Sequence, residues 1–328
     1  MAERMAFVTG GSGFIGGHLI RRLARDGWGV RALVRSERSA DVVREAGAEP
    51  VNGDLEQVEA MRAGAAGCDV AFHAAAYVAE WGPREAYERG NVLGTQNALE
   101  ACRSAGVRRF VHVGTEAALM AGQPLVGVDE SAPLRPDSPA PYPSTKARAE
   151  QAVRDANGGE FETVVVRPRF VWGAGDTSVM PALVEAVRRG RFSWIGGGRQ
   201  LTDVTHVENV VEGLMRGAER GRAGEVYFVT DGQPVVFREF ITEMLATQDV
   251  EIPDKNVPPG VVRALAALFE TAWRVLPLRG APPVTRFAVW AASLECTIDI
   301  SKARSELGYA PVKAREDGMA ELRAAAAA

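Results

Sequence analysis

The chain has 328 residues, 46% hydrophobic and 24% charged, enough to bury one large core or two modest ones. A net charge of −4 supplies no basic field, so nucleic acid is excluded as an expected partner. Three scattered cysteines (Cys68, Cys102, Cys296) and four histidines without ligand spacing exclude a disulfide framework and a metal site.

Met5 to Val8 is a short apolar run that reads as a buried strand. Gly10, Gly11 and Gly13 break it, and Phe14, Ile15, Leu19, Ile20 and Leu23 then recur at helical spacing. The run opens the chain with no leader pattern before it, and a reduced cytoplasmic setting is expected. Gly29–Val34 is a second strand, followed by a helical stretch through Val42, Val43 and Ala46. A third short strand, Glu49 to Val51, leads through Gly53-Asp54-Leu55 into a helix ending at Gly64. Asp69–His73 is a fourth strand opening into Ala74, Ala75 and Ala76. Beyond a loop with Trp81-Gly-Pro83 comes a long helix, about Tyr87 to Ala105, then a fifth strand at Arg109–Val113. Tyr142 to Ala156 is helical, and Thr163–Arg167 is a sixth strand. Strands alternating with helices predict right-handed βαβ units: an α/β fold with a doubly wound parallel sheet.

Beyond Pro168 the regularity loosens. Val179 to Arg189 reads as a helix, Gly196–Gly198 as a turn, and Asp203–Val211 as a strand end feeding a helix. The segment Pro253 to Ala292 has an apolar middle, Val261 to Leu276, that Arg263, Glu270 and Arg274 make too polar to span a bilayer. A core helix of the second region is preferred there over a pocket cover or peripheral membrane contact. Ala324 to Ala328 reads as a helix end or tail. The expected division is a dinucleotide-binding domain at 1–168 with a returning segment near 199–222. A smaller, mostly C-terminal α+β substrate region takes 169–198 and 223–328.

The first strand, its glycine turn and the helix after it form a dinucleotide site. One glycine permits the tight turn, another lets backbone N–H groups approach a pyrophosphate, and Gly16 lets helix pack on strand. The helix N-terminus adds the positive end of a dipole. Tyr142 and Lys146 stand four apart, on one helix face. A phenol with an ammonium one turn away, near a cofactor cation, is an acid–base whose phenolate the positive charges favour.

T-G-G-S-G-F-I-G at Thr9–Gly16, D-L at Asp54-Leu55, H-A-A-A at His73–Ala76, N-V-x-G-T at Asn91–Thr95 and Y-P-S-T-K at Tyr142–Lys146 together resemble the extended short-chain dehydrogenase/reductase family. R-P-R-F-V-W-G at Arg167–Gly173, D-V-T-H-V-E-N-V-V at Asp203–Val211 and A-R-S-E-L-G-Y-A-P at Ala303–Pro311 continue the likeness over almost the whole chain. Pro282–Phe287 and the apolar helix before it are most similar to the 3β-hydroxysteroid dehydrogenase and dihydroflavonol reductase branch.

The resemblance implies a Rossmann fold and a role for each position. Gly10, Gly13, Phe14, Ile15 and Gly16 would cradle the pyrophosphate, and Asp54 and Leu55 would flank the adenine. Ala74, Ala75 and Ala76 would line the nicotinamide ribose, with Pro168 and Val171 near the carboxamide. Tyr142 would be the acid–base, and Lys146 would lower its pKa and hold the ribose. Asn91 would tie helix to neighbouring strand, and His73 and His206 would be structural.

One departure from the family pattern follows the fifth strand, where Val113-Gly114-Thr115-Glu116 replaces the usual Ser-Ser or Ser-Thr. Thr115 supplies a hydroxyl to polarise the substrate oxygen, while counting back from Leu119 puts Glu116 at the serine position; Thr115 is preferred. At the end of the second strand Arg35 stands where an NAD site offers an acid, which suits the 2′-phosphate of NADP; NAD is kept as second choice.

The leading reading is an NADP-dependent oxidoreductase acting on a ketone or secondary alcohol of an apolar substrate. Trp81, Trp172, Phe192, Trp194, Phe269, Trp273 and Phe287 would lie over its site. A nucleotide-sugar epimerase or dehydratase, using Arg188, Arg189, Arg191, Arg199 or Arg286 for a diphosphate, is the alternative. A cofactor-sensing regulator without turnover is the third reading. A homodimer is left open.

Overall fold

The structure, a computed structural model, describes residues 4–276 and 278–327; Pro277 and Ala328, inside two segments read above, lie outside the described residues. The first half alternates strictly. β1 (Met5–Thr9), α1 (Phe14–Arg25), β2 (Gly29–Val34), α2 (Glu37–Ala46) and β3 (Glu49–Asn52) are followed by α3 (Val58–Ala65) and β4 (Val70–His73). A helix then starts at α4 (Arg84–Tyr87), widens into a π turn over Glu88–Leu93 and continues as α5 (Gly94–Ser104). β5 (Arg109–Val113), a 3₁₀ turn at Glu116–Leu119, β6 (Leu125–Val128), α6 (Pro141–Asp155) and β7 (Glu162–Pro168) complete it.

The second half has shorter pieces: β8 (Val171–Trp172), α7 (Val179–Arg188), β9 (Trp194–Ile195), β10 (Leu201–Thr202) and β11 (Thr205–His206). α8 (Val207–Arg220) and β12 (Val226–Val229) return to the first domain. β13 (Val235–Val236), α9 (Phe237–Ala246), β14 (Asn256–Val257), α10 (Pro259–Val275), α11 (Arg286–Ser293), β15 (Cys296–Ile298) and α12 (Arg315–Ala327) finish the chain.

Seven strands form one sheet in the order β12-β7-β5-β4-β1-β2-β3, every neighbouring pair parallel. Successive residues of a strand serve opposite faces, so both faces are apolar. Phe7 packs with Met61, Leu99 and Phe110, while Val8 packs with Leu19, Ile20 and Leu214. The strand order reverses between β1 and β4, and a crevice opens there at the carboxyl edge, the usual ligand site of such sheets.

Two boundaries differ from expectation. The seventh strand, Val226–Val229, lies past residue 222, so the returning segment runs on to Val229. Residues 201–202 belong to a second sheet, β13-β10-β15-β6. Four apolar residues between polar turns carry no periodicity that could assign them to one sheet or another. α10 is also not a core helix. Ala266 and Glu270 are its buried residues, whereas Val261, Leu265, Leu268 and Val275 face outward. Its anchor is polar: Glu270 pairs with Arg286 at 3.2 Å and accepts the Arg286 backbone N–H at 2.7 Å.

One buried ion pair ties α6 to the sheet. Arg167 on β7 and Glu150 on α6 are fully shielded, with Arg167 Nε donating to Glu150 Oε2 at 2.8 Å. Removing the carboxylate alone leaves a buried guanidinium uncompensated. Glu150→Ala is expected to cost about 3–5 kcal/mol in a urea melt; a loss within that of an exposed-residue substitution contradicts this.

Candidate active site

The crevice is built from close backbone contacts. Gly10 has φ +72°, and a Cβ there would sit 2.6 Å from the Ala75 backbone N, so the loop after β1 touches the loop after β4. At Gly16 a Cβ would lie 2.1 Å from the Gly10 carbonyl oxygen, so a larger residue would drive α1 off the turn. α1 has no side-chain cap and no acid in its first turn. Its free N–H groups and dipole thus face the crevice unneutralised, which fits a pyrophosphate. Gly13, Phe14 and Ile15 open α1 at this turn, and Ala74 and Ala75 lie against Gly10 from the loop after β4.

Further along the edge, Arg35 follows β2 and Asp54 follows β3, with 3.8 Å between Arg35 Nε and Asp54 Oδ2 on an open surface. Leu55 is wedged against Gly94, where a Cβ would lie 2.8 Å from it, and its carbonyl accepts from Asn97 at 2.8 Å.

A chain of hydrogen bonds holds the middle of the crevice. Asn91 accepts the Tyr77 backbone N–H at 2.6 Å and donates to the Tyr77 carbonyl at 3.2 Å and to Thr145 Oγ1 at 3.1 Å. It thus ties the loop after β4 to α6, where a tie to a neighbouring strand was expected. His73 lies between Thr9 Oγ1 (2.7 Å) and Thr95 Oγ1 (3.1 Å), and burial pushes its pKa down to about 3. It is neutral and structural, as the sequence implied. His206 caps α8, accepting the Glu208 N–H at 3.3 Å.

Tyr142 and Lys146 come to the carboxyl end of β5. The Lys146 ammonium, buried, donates to the Val113 carbonyl at 2.9 Å and lies 3.4 Å from His112 Nε2. Burial lowers its pKa to about 8, with Glu150 opposing. Positive charge was expected to favour the Tyr142 phenolate, and the folded chain sets other groups against it. Burial pushes its pKa well up, the Glu116 carboxylate adds to this, and the Thr115 hydroxyl beside it opposes both. These surroundings favour the protonated phenol.

Thr115 and Glu116 separate cleanly. Thr115 stands beside Tyr142, while Glu116 turns inward to Arg169, whose Nη1 donates to Glu116 Oε1 at 2.6 Å. The Thr115 hydroxyl donates to Glu116 Oε2 at 2.8 Å and accepts the Ala117 N–H at 3.2 Å. Glu116 is thus a partner of Thr115 that the sequence did not foretell. Arg169 precedes Phe170, which has a left-handed backbone (φ +39°) between Pro168, at the end of β7, and Val171, at the start of β8.

A family model described as the 3-beta hydroxysteroid dehydrogenase/isomerase family matches residues 7–258. The chain belongs to this family. The 4-hydroxy-2-methyl-3-oxo-4-farnesyl-3,4-dihydroquinoline-1-oxide ketoreductase of Stigmatella aurantiaca is 50% identical over 319 residues, 97% of this chain and 96% of its own. The 2-alkyl-3-oxoalkanoate reductase of Stenotrophomonas maltophilia is 36% identical over 330 residues, 98% of this chain and 99% of that protein. The solved structure of MoeE5 in complex with UDP-glucose and NAD matches with a TM-score of 0.73 at 26% identity, covering 98% of this chain and 97% of that one. This member of the 3-beta hydroxysteroid dehydrogenase/isomerase family is an oxidoreductase of the extended short-chain dehydrogenase/reductase type. It uses a nicotinamide cofactor and a small-molecule substrate. Among the described residues no helix is long and apolar enough to cross a membrane.

The aromatic residues expected over the site divide. Trp172, Phe192 and Trp194 pack into a separate core with Phe237 and Phe240. Phe287 stays at the site, its ring 5.3 Å from that of Tyr142. Trp81 and Trp273 line an open groove of about 710 Å³ with Tyr77, Arg84, Glu85 and Arg274. Of the arginines suited to a diphosphate, Arg286 is paired with Glu270 and Arg189 with Glu185.

Lys146 gives a test in pH. Unfolded, it holds its proton to the ordinary 10.5; folded, it loses it near 8. Between these values the unfolded state binds more protons, so this group makes stability rise with pH. Lys146→Met should abolish a rise of about 3 kcal/mol between pH 8 and 10.5, read as the difference between wild-type and variant urea melts. Parallel pH profiles for the two proteins contradict this.

Proposed function

We propose that this protein is an NADPH-dependent reductase that converts the ketone of a small, largely apolar substrate to a secondary alcohol. The observation that carries the reading is the meeting of Tyr142, Lys146 and Thr115 at the end of β5, on the crevice that the glycine turn opens. The names of the two ketone-reducing relatives support the direction, and the Trp81/Trp273 groove and Phe287 support the apolar substrate. Free, buried thiols at Cys68, Cys102 and Cys296 fit a reducing cytoplasmic setting.

When bound, the nicotinamide cofactor supplies the hydride. The residues of this chain do the rest. Gly10, Gly13, Phe14, Ile15 and Gly16 offer close backbone to the pyrophosphate, Asp54 and Leu55 flank the adenine, and Ala74, Ala75, Ala76, Pro168 and Val171 line the nicotinamide end. Tyr142 meets the carbonyl oxygen as a protonated phenol and gives up its proton as negative charge develops there. Lys146 keeps one proton on the Val113 carbonyl and has others free for the ribose, and its charge favours the phenolate left behind. Thr115 offers its hydroxyl to the same oxygen and polarises it. Arg35 lies open at the adenosine end, where a guanidinium fork suits a 2′-phosphate and offers nothing to free ribose hydroxyls.

Tyr142→Phe keeps the ring and its packing on Phe287 and removes the proton. Turnover of any ketone accepted by the wild type should fall by roughly 10²–10⁴, with cofactor affinity within a few-fold. Turnover near wild type removes Tyr142 from the reaction. Titration of nicotinamide fluorescence should show tighter binding of NADPH than NADH. Arg35→Asp should reverse the order, since a carboxylate repels the 2′-phosphate and accepts from the free hydroxyls. Equal affinities in the wild type, or an unchanged ratio in the variant, sink the assignment.

A further inference from the structure

The groove between Trp81 and Trp273 carries charge as well as apolar surface. Arg84, which opens α4, and Arg274 of α10 both line it, and both are exposed. Each has a carboxylate four residues away, the spacing at which opposite charges pair on a helix. Neither pair forms. Glu88, one turn after Arg84, is held by Arg148 of α6. Glu270, one turn before Arg274, turns inward to the guanidinium and the backbone N–H of Arg286. Glu85 lines the groove too, and among the described residues no carboxylate forms an ion pair with Arg84 or Arg274. Arg274 lies over the Trp81 ring, 4.7 Å from its centroid, which fixes the guanidinium against the groove wall. Burial and the nearby Arg84 charge pull the Arg274 pKa down, with Glu270 and Tyr87 too weak to reverse this. Its surroundings therefore leave that positive charge uncompensated. The Trp273 indole N–H is also shielded and finds no acceptor among the described residues.

We propose that Arg84 and Arg274 form an anion subsite that receives the carboxylate end of an otherwise apolar substrate. A guanidinium stacked on an indole keeps its N–H edge free, and that edge matches the two oxygens of a carboxylate. The indoles of Trp81 and Trp273 offer the apolar surface beside it, where a hydrocarbon chain is drawn from water. A hydroxyl or ester end would leave both arginines as they are, without an anion. The groove is tied to the reacting residues at two points. Tyr77, which lines it, follows Ala76, and its ring meets that of Tyr87 edge-on at 4.8 Å. Arg286, gripped by Glu270, precedes Phe287, whose ring packs on Tyr142. One buried carboxylate thus frees Arg274 for a ligand and seats the residue beside the phenol. The inference rests on the reductase reading above for what happens at Tyr142, but the binding it describes needs no turnover.

Octanoate and octan-1-ol share a chain and differ in the head group. Titration calorimetry of the full chain with each reads the subsite directly. Octanoate should bind tighter by about tenfold or more, the effect of hydrogen bonds to a charged partner. That advantage should shrink as salt is raised. Replacing both arginines, by Arg84→Met and Arg274→Met together, should bring octanoate down to the affinity of octan-1-ol. Binding of octan-1-ol, which needs the indoles alone, reports that the groove is intact in the variant. Arg274→Lys keeps the charge and loses the planar fork and its stacking, so it should retain only part of the preference. Tyr142→Phe should retain all of it, so a failure of the reductase reading leaves this measurement standing. Equal affinities for the two ligands in the wild type overturn the proposal. So does a preference for octanoate that survives the loss of both arginines, which would place the carboxylate elsewhere.

Discussion

The site depends on one directional run of hydrogen bonds that crosses three carboxyl-edge loops. Thr95 Oγ1 donates to the Asn91 carbonyl at 2.6 Å, so it can only accept from His73 Nε2. His73 is thereby a neutral Nε2–H tautomer whose Nδ1 accepts from Thr9 Oγ1. Thr9 closes β1 just before the glycine turn, His73 closes β4 just before Ala74, and Asn91 reaches Thr145 beside Lys146. Reversing or breaking any member strands a buried donor or acceptor, which costs more than the bond itself contributes. The glycine turn, the Ala74–Ala76 loop and the helix that carries Tyr142 are held to one geometry.

This explains the π turn at Glu88–Leu93. Asn91 must present its amide to Tyr77 and Thr145 while Thr95, four residues on, reaches back to its carbonyl. Widening the helix there turns Asn91 inward without ending α5, a distortion common at functional sites. Gly90 and Gly94 let the widened turn approach its neighbours: a Cβ at Gly90 would lie 2.9 Å from the Tyr77 side chain and one at Gly94 2.8 Å from Leu55.

How much of this a sequence can carry follows from which forces are local. The parallel sheet and its crevice were legible because strands buried on both faces alternate with amphipathic helices, and because Gly10 and Gly16 have steric reasons to be glycine. Tyr142 and Lys146 were legible from helix spacing together with their place after the fifth strand and the Y-P-S-T-K motif. The rise of the Tyr142 pKa was not, since it comes from burial and from Glu116, which only the folded chain brings to the phenol. The partnership of Glu116 with Arg169 joins residues 53 apart, and no local pattern encodes it. β12 and the outward stripe of α10 escaped for a related reason: four apolar residues, or an amphipathic helix, do not say which surface they meet. An aromatic residue is a comparably weak signal, and Trp172 and Trp194 went to a core because Phe237 and Phe240 of α9 offered one.

The two buried ion pairs have a common design. Glu150 lies one turn beyond Lys146 on α6 and is held by Arg167; Glu116 follows Thr115 and is held by Arg169. Both arginines come from the end of β7, two residues apart, where the left-handed turn at Phe170 begins the passage to β8. Burying four charges is costly, and apolar residues of the same volume would often be at least as stable. Stability is therefore not what these pairs supply. A guanidinium and a carboxylate fix each other in direction as well as distance, which packed methyl groups do not. Through them a single strand end fixes the carboxylate behind Lys146 and the carboxylate beside Thr115, so both share one rigid reference.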